Sequence, residues 1–305
     1  MKRVLCALLV CASLLLCGCE DEQKETVFAM DTVMELQVWG DNREEAVEKL
    51  KLLIADIEDE WSVHEERSIV SKLNRGEDLS DPLFYRVQDF SVRTKDAFDP
   101  KLYSLSKLWG FATKEYYVPT DEEIAAAMAD SQWDLGGVIK GYTGQKAVEL
   151  LEELGVERAL LNLGGNVQTY GSKPDDEPWS IGIQDPNGGD PVAVVQVNGT
   201  ISVVTSGDYQ RYFEEDGIRY HHIIDPATGK PANSGLRSVT VICTDGTTAD
   251  ALSTALFVMG MEEGSDLWRE SDDFEAVFLT EDGKIYATEG VTITDCEYEV
   301  IHREN

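Results

Sequence analysis

The fold is decided by residues 133–171, WDLGGVIKGYTGQKAVELLEELGVERALLNLGGNVQTYG. A turn with paired glycines leads into a helix that the apolar spacing predicts from about Lys140 to Leu154. Gly155 ends this helix, and the apolar run RALLNL begins a strand. The stretch therefore predicts a βαβ-like unit at the centre of the chain.

The flanking sequence mixes strand and helix patterns without a repeat or a long linker. β-forming residues predict one opening strand over 26–39, a hairpin that turns at Asp216-Gly217, and further strands in WSIGIQDP, VAVVQVNG, TISVVTSGD and SVTVICT. Helical spacing predicts helices over 43–62, 80–98, 121–130 and 246–260. The mixture predicts a single α+β domain.

Short local signals mark where these helices begin and end. Asp41 or Asn42 is expected to cap the helix over 43–62, and Pro82 to lie in the first turn of the next helix. A threonine is expected to cap the last helix, which Gly260 ends.

The first nineteen residues, MKRVLCALLVCASLLLCGC, predict a secretory signal, because the apolar run is too short to span a bilayer. The end of this segment resembles a bacterial lipobox. We therefore expect a lipoprotein signal peptide over 1–18, a lipidated Cys19, an acidic tether over 19–25 and one domain over 26–305. A plain cleaved signal and an uncleaved anchor are the alternatives. Lipidation predicts an extracytoplasmic protein that is anchored to the bacterial membrane.

The formal net charge of −32 excludes most nucleic-acid binders, which need a positive surface. Four of the six cysteines lie in the first nineteen residues. Cys243 and Cys296 remain, which are too few for a disulfide framework. They could form one bridge, or Cys243 could be a buried thiol on a strand.

Two oxygen-bearing side chains interrupt the apolar helix over 246–260. Asp250 and Thr254 are four residues apart and therefore lie on one face. A hard cation such as Mg²⁺ would satisfy both. Alternatively, Asp250 caps the first turn and Thr254 bonds back to a carbonyl.

Three glycine-containing loops are candidate ligand sites. Gly136 and Gly137 precede a helix whose N-terminus and Lys140 could hold a phosphate, and LNLGGN (161–166) has the same glycine pair. Paired glycines before a helix are common and no complete nucleotide-binding fingerprint is present, and the second pair is equally compatible with a simple tight turn. The loop Trp109-Gly110-Phe111 could stack on a flat heterocycle or pack in the core.

Two of the four histidines are adjacent in YHHIIDPATGKPANSG (220–235). A histidine beside a proline-stiffened loop could act as a general base, with Asp225 either orienting it or shaping the turn. A structural role in a hairpin is the alternative. His64 and His302 are expected on the surface.

Several of these segments occur in one order: MDTVMELQVWG, FDPKLYSLSKLWGF, DLGGVIKGY, LLNLGGNVQTYG, HHIIDPATGKP and TTADALSTALFVMG. From about Thr26 onward the chain resembles the ApbE-type FAD:protein FMN transferases. The resemblance implies a fold related to the T-fold. It also implies cleavage of FAD at its pyrophosphate and attachment of FMN to a threonine of a partner protein, in a segment like Asp-Gly-x-Thr. The implied partner is a subunit of a membrane electron-transfer complex.

The resemblance also implies roles for individual residues. His222 would be the general base, and His221 would be structural. Mg²⁺ would be held by Asp250, Thr254 and the carbonyl of Gly137. The FAD site would be lined by Met30, Trp109, Gly110, Phe111, Asp134, Lys140 and Ile223.

One segment departs from the family pattern. Thr143-Gly144-Gln145 stands where the family commonly has Ala-x-Asp, and Gly144 is expected to loosen the helix by up to about 1 kcal/mol. Nucleotide affinity is therefore the property most affected. Thr248 lies in an acceptor-like Asp-Gly-Thr-Thr segment, so self-flavinylation there is a further hypothesis.

Two other functions fit parts of the sequence. An FAD pyrophosphatase would use the same pocket and release FMN and AMP. A flavin- or solute-binding lipoprotein would be non-catalytic, and a transporter's binding protein would have two similar lobes and no metal.

Overall fold

The computed structural model describes residues 22–174 and 177–304. The predicted signal peptide and Cys19 lie outside the described residues. The first strand begins at Glu22, so residues 22–25, which we expected in the tether, belong to the folded domain. They pair with the next strand from Glu22 opposite Trp39 onward, and this main-chain pairing extends the strand through polar residues.

The strands of the described chain are, in order, β1 (Glu22–Ala29), β2 (Thr32–Trp39), β3 (Arg158–Leu163), β4 (Asn166–Tyr170), β5 (Trp179–Ile183), β6 (Ala193–Val197), β7 (Ser202–Gly207), β8 (Tyr212–Glu215), β9 (Ile218–His221), β10 (Ile224–Asp225), β11 (Lys230–Pro231), β12 (Leu236–Cys243), β13 (Phe274–Thr280), β14 (Ile285–Thr288), β15 (Thr292–Thr294) and β16 (Glu299–Ile301). The helices are α1 (Arg43–Trp61), α2 (Ile69–Asn74), α3 (Pro82–Arg93), α4 (Tyr103–Leu108), α5 (Asp121–Met128), α6 (Ile139–Glu153) and α7 (Gly246–Arg269). The α+β prediction is confirmed.

Nine strands form one mixed sheet in the order β1-β2-β3-β4-β7-β12-β13-β14-β16. Only the β14–β16 pair in this sheet is parallel. The predicted βαβ-like unit is wrong in its strand direction, because β3 pairs antiparallel with both β2 and β4. Gly164 and Gly165, at φ +70° and +94°, make the tight turn that returns β4 alongside β3.

One face of the nine-stranded sheet, which we call the helix face, is covered by α1, α6 and α7. Leu161 of β3 packs in one cluster with Leu50 of α1 and Leu151 of α6. Phe278 of β13 packs in a second cluster with Leu256 of α7. Two of these helices also carry predicted site residues, since Lys140 lies on α6, and Asp250 and Thr254 lie on α7.

The opposite face, which we call the sheet face, packs against a three-stranded sheet in the order β15-β6-β5. Side chains alternate between the two faces along each strand. Val277 and Leu279 of β13 lie on the sheet face, whereas Ala276 and Phe278 lie on the helix face. Two layers of core therefore share one central sheet.

The single opening strand predicted over 26–39 is instead the β1–β2 hairpin. Met30 and Asp31 form its turn at φ +50° and +62°, a left-handed conformation that is uncommon for residues other than glycine. The sequence has no glycine here to signal the turn. The hairpin predicted at Asp216-Gly217 is confirmed, with both residues at positive φ.

Two of the three helix-cap predictions are wrong. Asn42 precedes α1, but its side chain donates a hydrogen bond to the carbonyl of Leu154 instead of accepting one from α1. The cap of α7 is Asp245, which accepts the N–H of Thr248, rather than a threonine. The prediction for Pro82 is confirmed, since it is the first residue of α3.

The end of the predicted last helix coincides with a kink. Gly260 has φ 78° and ψ 178°, and a further helical segment continues to Arg269.

Cys243 and Cys296 are both free thiols, and Cys243 is buried on β12 as expected. In residues 22–174 and 177–304, no helix is both long and apolar enough to cross a membrane.

Candidate active site

A cavity of about 1130 Å³ lies among the β1–β2 turn, the N-terminus of α6, the middle of α7 and the base of the β8–β9 hairpin. Its size exceeds the range of about 300–1,000 Å³ that is usual for small-molecule pockets. Nine of the residues predicted for the site line it, namely Met30, Phe111, Asp134, Gly137, Lys140, His222, Ile223, Asp250 and Thr254. Residues separated by more than 200 positions in sequence therefore meet in one cavity.

His222 lies at this cavity beside the ring of Phe111, with the ring centroids 6.5 Å apart in an edge-to-face arrangement. Burial lowers the pKa of His222 to about 3, and the positive charge of Arg211 contributes to the same shift. The imidazole is therefore neutral near pH 7 and has a nitrogen free to accept a proton. Asp225 does not orient it, because its carboxylate accepts hydrogen bonds from Ala227 and Thr228 within the turn.

His221, which we expected to be structural, lies in the core and is 6% exposed. Its Nε2 lies 2.9 Å from the carbonyl oxygen of Ala232, and its ring packs edge-to-face on Phe257. Adjacent side chains point to opposite sides of a strand. The two neighbouring histidines therefore have different environments, one in the core and one at the cavity.

Asp250 is 3% exposed and lines the cavity together with Thr254. Its Oδ2 accepts the N–H of Gly141 at 2.8 Å. Within the described chain it has no basic partner, although a buried carboxylate is costly without compensation. The alternative that Asp250 caps α7 is wrong, because Asp245 does so.

The predicted phosphate cradle at the start of α6 is largely occupied by the protein itself. The N–H groups of Val138 and Ile139 donate to the carbonyl of Leu135, and that of Gly141 donates to Asp250. Gly141 instead allows α6 to cross α7 closely, since a Cβ there would lie 2.1 Å from the carbonyl oxygen of Gly246. The glycines of this segment therefore bring α6 against α7.

Trp109 and Gly110 were predicted to line the cavity, and the structure places them behind it. Trp109 is 2% exposed and donates its indole N–H to the carbonyl of Gly229 at 2.8 Å. Gly110 has φ +82°, and a Cβ there would lie 2.2 Å from the carbonyl oxygen of Glu115. This turn directs Phe111 into the cavity wall while Trp109 supports the loop from the core.

Asp134 lies at the cavity, and its carboxylate accepts the N–H of Gly136 at 2.8 Å. Burial raises its pKa, while this hydrogen bond and the charges of His64 and Arg211 lower it. Met30 donates its N–H to Glu58 and receives a weak contact from the hydroxyl of Thr143. These hydrogen bonds position two residues of the cavity wall, Met30 and Asp134.

Several charged or titratable residues at the cavity were not predicted for the site, among them Asp31, His64, Lys114 and Arg211. Lys114 and Asp31 form an ion pair of 2.7 Å across its mouth. His64 is exposed, as expected, but it lies at the cavity and its ring contacts Tyr103. No local motif marks these residues, because only the tertiary fold brings their loops together.

Comparison with known proteins identifies the family. The model of the ApbE family matches residues 30–278, well over half of the chain. This chain belongs to the ApbE family. The predicted family, and with it the class of FAD:protein FMN transferases, is thereby confirmed.

Curated relatives and solved structures agree with this ApbE assignment. The FAD:protein FMN transferase of Treponema pallidum is 36% identical over 245 residues, covering 68% of this chain and 67% of the relative. That of Klebsiella pneumoniae is 35% identical over 265 residues, covering 76% and 81%. The crystal structure of the ApbE protein from Thermotoga maritima superposes with a TM-score of 0.82 at 33% identity, covering 88% of this chain and 97% of that one.

Proposed function

We propose that this ApbE family member transfers FMN from FAD to a threonine hydroxyl of a partner flavoprotein, in a Mg²⁺-dependent reaction that releases AMP. The main support for this proposal is the set of three side chains that line the cavity. A neutral imidazole at His222, a buried carboxylate without a basic partner at Asp250 and the ammonium of Lys140 all face one large cavity. A base and a charge-stabilising group at one cavity suit the transfer of a phosphorus-containing group to a hydroxyl.

The chain's own residues supply the proton transfer and the binding energy. The threonine hydroxyl gives its proton to the imidazole of His222 while its oxygen attacks the phosphorus that bears riboflavin. The bond from this phosphorus to the bridging oxygen breaks, and AMP leaves with that oxygen. Lys140 stabilises the negative charge on the phosphates. Water in place of the threonine hydroxyl would give free FMN and AMP.

The donor set fits Mg²⁺. Asp250 offers a carboxylate that lacks a basic partner, and Thr254 offers a hydroxyl one helical turn away. Gly137 lies next to Thr254, because a Cβ built on Gly137 would be 4.0 Å from Oγ1 of Thr254. Hard oxygen ligands on few protein groups are typical of Mg²⁺ sites that also take substrate phosphates. Bound there, Mg²⁺ would supply electrostatic stabilisation of the pyrophosphate.

Among residues 22–174 and 177–304, no group of three or more histidine, cysteine, aspartate or glutamate side chains could hold a metal. The proposed site does not contain such a group, because its three ligands are one carboxylate, one hydroxyl and one backbone carbonyl, and only the carboxylate belongs to those residue types. It would bind Mg²⁺ weakly without substrate, because the substrate phosphates provide the remaining ligands. We therefore expect Mg²⁺ and FAD to bind cooperatively.

The flavin ring would lie against the apolar part of the cavity wall, which includes Phe111, Met30 and Ile223. Phe111 is 6% exposed and packs on Phe213, so the wall is rigid on this side. A rigid aromatic surface suits a flat heterocycle. Trp109 and Gly110 would act indirectly, by holding Phe111 in place.

The sequence of residues 1–19 supports a lipid anchor at Cys19 and an extracytoplasmic location at the bacterial membrane. The acceptor would then be an extracytoplasmic segment of a membrane electron-transfer subunit that resembles Asp-Gly-x-Thr. The acidic net charge supports a protein partner over a nucleic acid. Thr248 is a poor self-acceptor, because it is 7% exposed and its hydroxyl accepts a hydrogen bond from Arg86.

A transfer assay tests the proposal. The protein without residues 1–19 is incubated with FAD, Mg²⁺ and a domain that carries an Asp-Gly-x-Thr segment, and labelling is followed by intact mass. His222→Gln should reduce the labelling rate by about 100- to 10,000-fold, the usual contribution of a general base. His302→Gln is the matched control and should not change the rate, because this exposed residue pairs with Glu289 away from the cavity. Equal rates for the wild type and His222→Gln would contradict the proposal.

A further inference from the structure

Arg211 faces the cavity without a partner of its own. It is exposed at the cavity, and in the part of the chain that the structure describes its side chain forms no hydrogen bond or ion pair. Two neighbouring arginines differ from it, because Arg219 and Arg237 both pair with Asp208. The chain has a net charge of −32, so most cations have carboxylates nearby to pair with. The guanidinium of Arg211, which has no such pair, can bind an anionic ligand.

The base of the β8–β9 hairpin places Arg211 directly across from His222. Tyr212 pairs with His221 in the antiparallel ladder, so the next pair along is Arg211 and His222. The N–H of His222 donates to the carbonyl of Arg211 at 3.0 Å, which extends the ladder by this pair. Directly opposed residues project from the same face of an antiparallel pair, and both residues line the cavity.

The charge of Arg211 reaches the floor and the mouth of the cavity. Burial lowers the pKa of His222 and the charge of Arg211 adds to this shift; the hydrogen bond from Lys114 lowers the pKa of Asp31 and Arg211 again contributes. Burial raises the pKa of Asp134, and the charge of Arg211 opposes that rise. Lys114, the other cation at the mouth, is already paired with Asp31. The charge of Lys140 at the start of α6 also acts on His222. An anion bound beside His222 would therefore contact the guanidinium of Arg211 on one side.

We propose that Arg211 binds a non-bridging phosphate oxygen of FAD at the phosphorus that the acceptor attacks. The inference rests on the proposed function, since it assumes that FAD is the substrate. The phosphorus must lie within reach of the hydroxyl that His222 deprotonates, and Arg211 is the cross-strand neighbour of His222. A guanidinium can bind two oxygens of a phosphate at once, which fixes its orientation as well as its charge.

Arg211 would then link substrate binding to the strength of the base. In the free protein its charge disfavours the protonated imidazole. A bound phosphate compensates that charge, so His222 becomes a stronger base only when FAD is present. Lys140 lies at the start of α6, and the two cations would hold the pyrophosphate between them.

Direct binding measurements test the inference without any transfer. FAD and riboflavin are titrated into the wild type and three variants, Arg211→Gln, Arg211→Lys and Arg219→Gln, in EDTA and without an acceptor. Arg211→Gln should weaken FAD binding by about tenfold or more, because it removes a charge-assisted hydrogen bond. Arg211→Lys should give an intermediate loss. Riboflavin, which has no phosphate, should bind all four proteins equally.

Arg219→Gln is the matched control, because this arginine lies on the same hairpin and pairs with Glu214 outside the cavity. Equal FAD affinity for Arg211→Gln and Arg219→Gln would overturn the inference. So would an equal loss of riboflavin affinity, which would indicate a damaged flavin pocket. An unchanged FAD affinity with a raised KM for the acceptor would assign Arg211 to the acceptor instead, and also overturn it.

These measurements separate the inference from the proposed function. A phosphate-dependent loss of FAD affinity in Arg211→Gln would support the role of Arg211 even in a protein that labels no acceptor. A proton NMR titration of the ligand-free protein gives a second readout. The pKa of His222 should rise in Arg211→Gln and stay unchanged in Arg219→Gln.

Discussion

The two faces of the nine-stranded sheet use the same strands and differ in polarity. The sheet face has an apolar core that includes Trp39 and Trp179, whose ring centroids lie 5.8 Å apart, and its buried polar side chains, such as Thr240, are uncharged. The helix face buries polar side chains among its apolar ones, including Asp250 at 3% exposure and Ser253 at 0%. A buried charge costs more stability than a buried hydroxyl, so the carboxylate of Asp250 gives the helix face a cost that the buried residues of the sheet face do not have.

This difference separates stability from chemistry. The predicted site residues of α6 and α7 that line the cavity, such as Lys140 and Thr254, belong to the helix face. The sheet face anchors the strands that hold these helices in position. Substitutions on the sheet face should therefore change the free energy of unfolding, whereas substitutions of the polar residues on the helix face should change activity.

The largest contrast is expected between Asp250→Asn and Leu279→Ala. The first keeps a hydrogen-bond acceptor for Gly141 but removes the charge that would hold Mg²⁺. It should reduce transfer by about 100-fold or more, the scale of a lost electrostatic contact to the transition state, with no loss of stability. Leu279→Ala should cost about 2–4 kcal/mol of unfolding free energy and leave kcat unchanged.

Urea unfolding and steady-state rates on both variants check this contrast. A loss of activity in Leu279→Ala at temperatures where it is fully folded would show that the two faces are not independent. A stability loss in Asp250→Asn as large as that of Leu279→Ala would give Asp250 a structural role.

A second contrast compares two glycines of α6. A Cβ at Gly141 would lie 2.6 Å from Cβ of Asp250, so Gly141→Ala should push α7 away and cost about 1–3 kcal/mol with loss of activity. A Cβ at Gly144 would meet Gln168 at 3.4 Å and Leu163 at 3.7 Å. Gly144→Ala should therefore stabilise the helix by up to about 1 kcal/mol.

Thermal unfolding and FAD titration of the two variants check this contrast. The sequence suggested that Gly144 would weaken nucleotide binding, and the structure places it in the sixth position of α6. Unchanged FAD affinity in Gly144→Ala would show that helix looseness does not limit binding. Gly141→Ala as stable and active as the wild type would contradict the close crossing of α6 and α7.

The smallest effect concerns pH. The pKa of His222 is about 3 in the folded protein and near 6.5 when unfolded, so the unfolded state takes up a proton first as pH falls. Stability from the neutral imidazole is present above pH 6.5 and is lost progressively toward pH 3. Between pH 7.5 and 5 the metal-free wild type should lose about 1–2 kcal/mol more than His222→Gln. Identical pH profiles of urea unfolding for the two proteins would contradict this.

Local signals made much of the fold predictable from sequence. The capping pair Thr120 and Glu123 fixes the start of α5, and the apolar spacing of α6 predicted its ends to within one residue. The short helices α2 and α4 have six residues each, too few to show a helical period. The β1–β2 turn was missed because Met30 and Asp31 adopt left-handed conformations without glycine.

Site residues could be predicted from the sequence only where they lie within a recognisable motif. His222 and Asp250 could be named from sequence, and both line the cavity. Trp109 could not be placed, because its burial depends on a hydrogen bond to Gly229, 120 positions away. Arg211 and Lys114 carry no motif, and only the packing of distant loops brings them to the cavity.

FMN transfer and FAD hydrolysis are distinguished by measuring, in one reaction, the AMP released and the acceptor labelled. Wild-type protein, FAD, Mg²⁺ and an excess of the Asp-Gly-x-Thr domain are sampled over time by chromatography and intact mass. We expect one labelled threonine for each AMP, and no labelling when that threonine is replaced by alanine. AMP accompanied by an equal amount of free FMN, with the acceptor unlabelled, would contradict it and identify a pyrophosphatase.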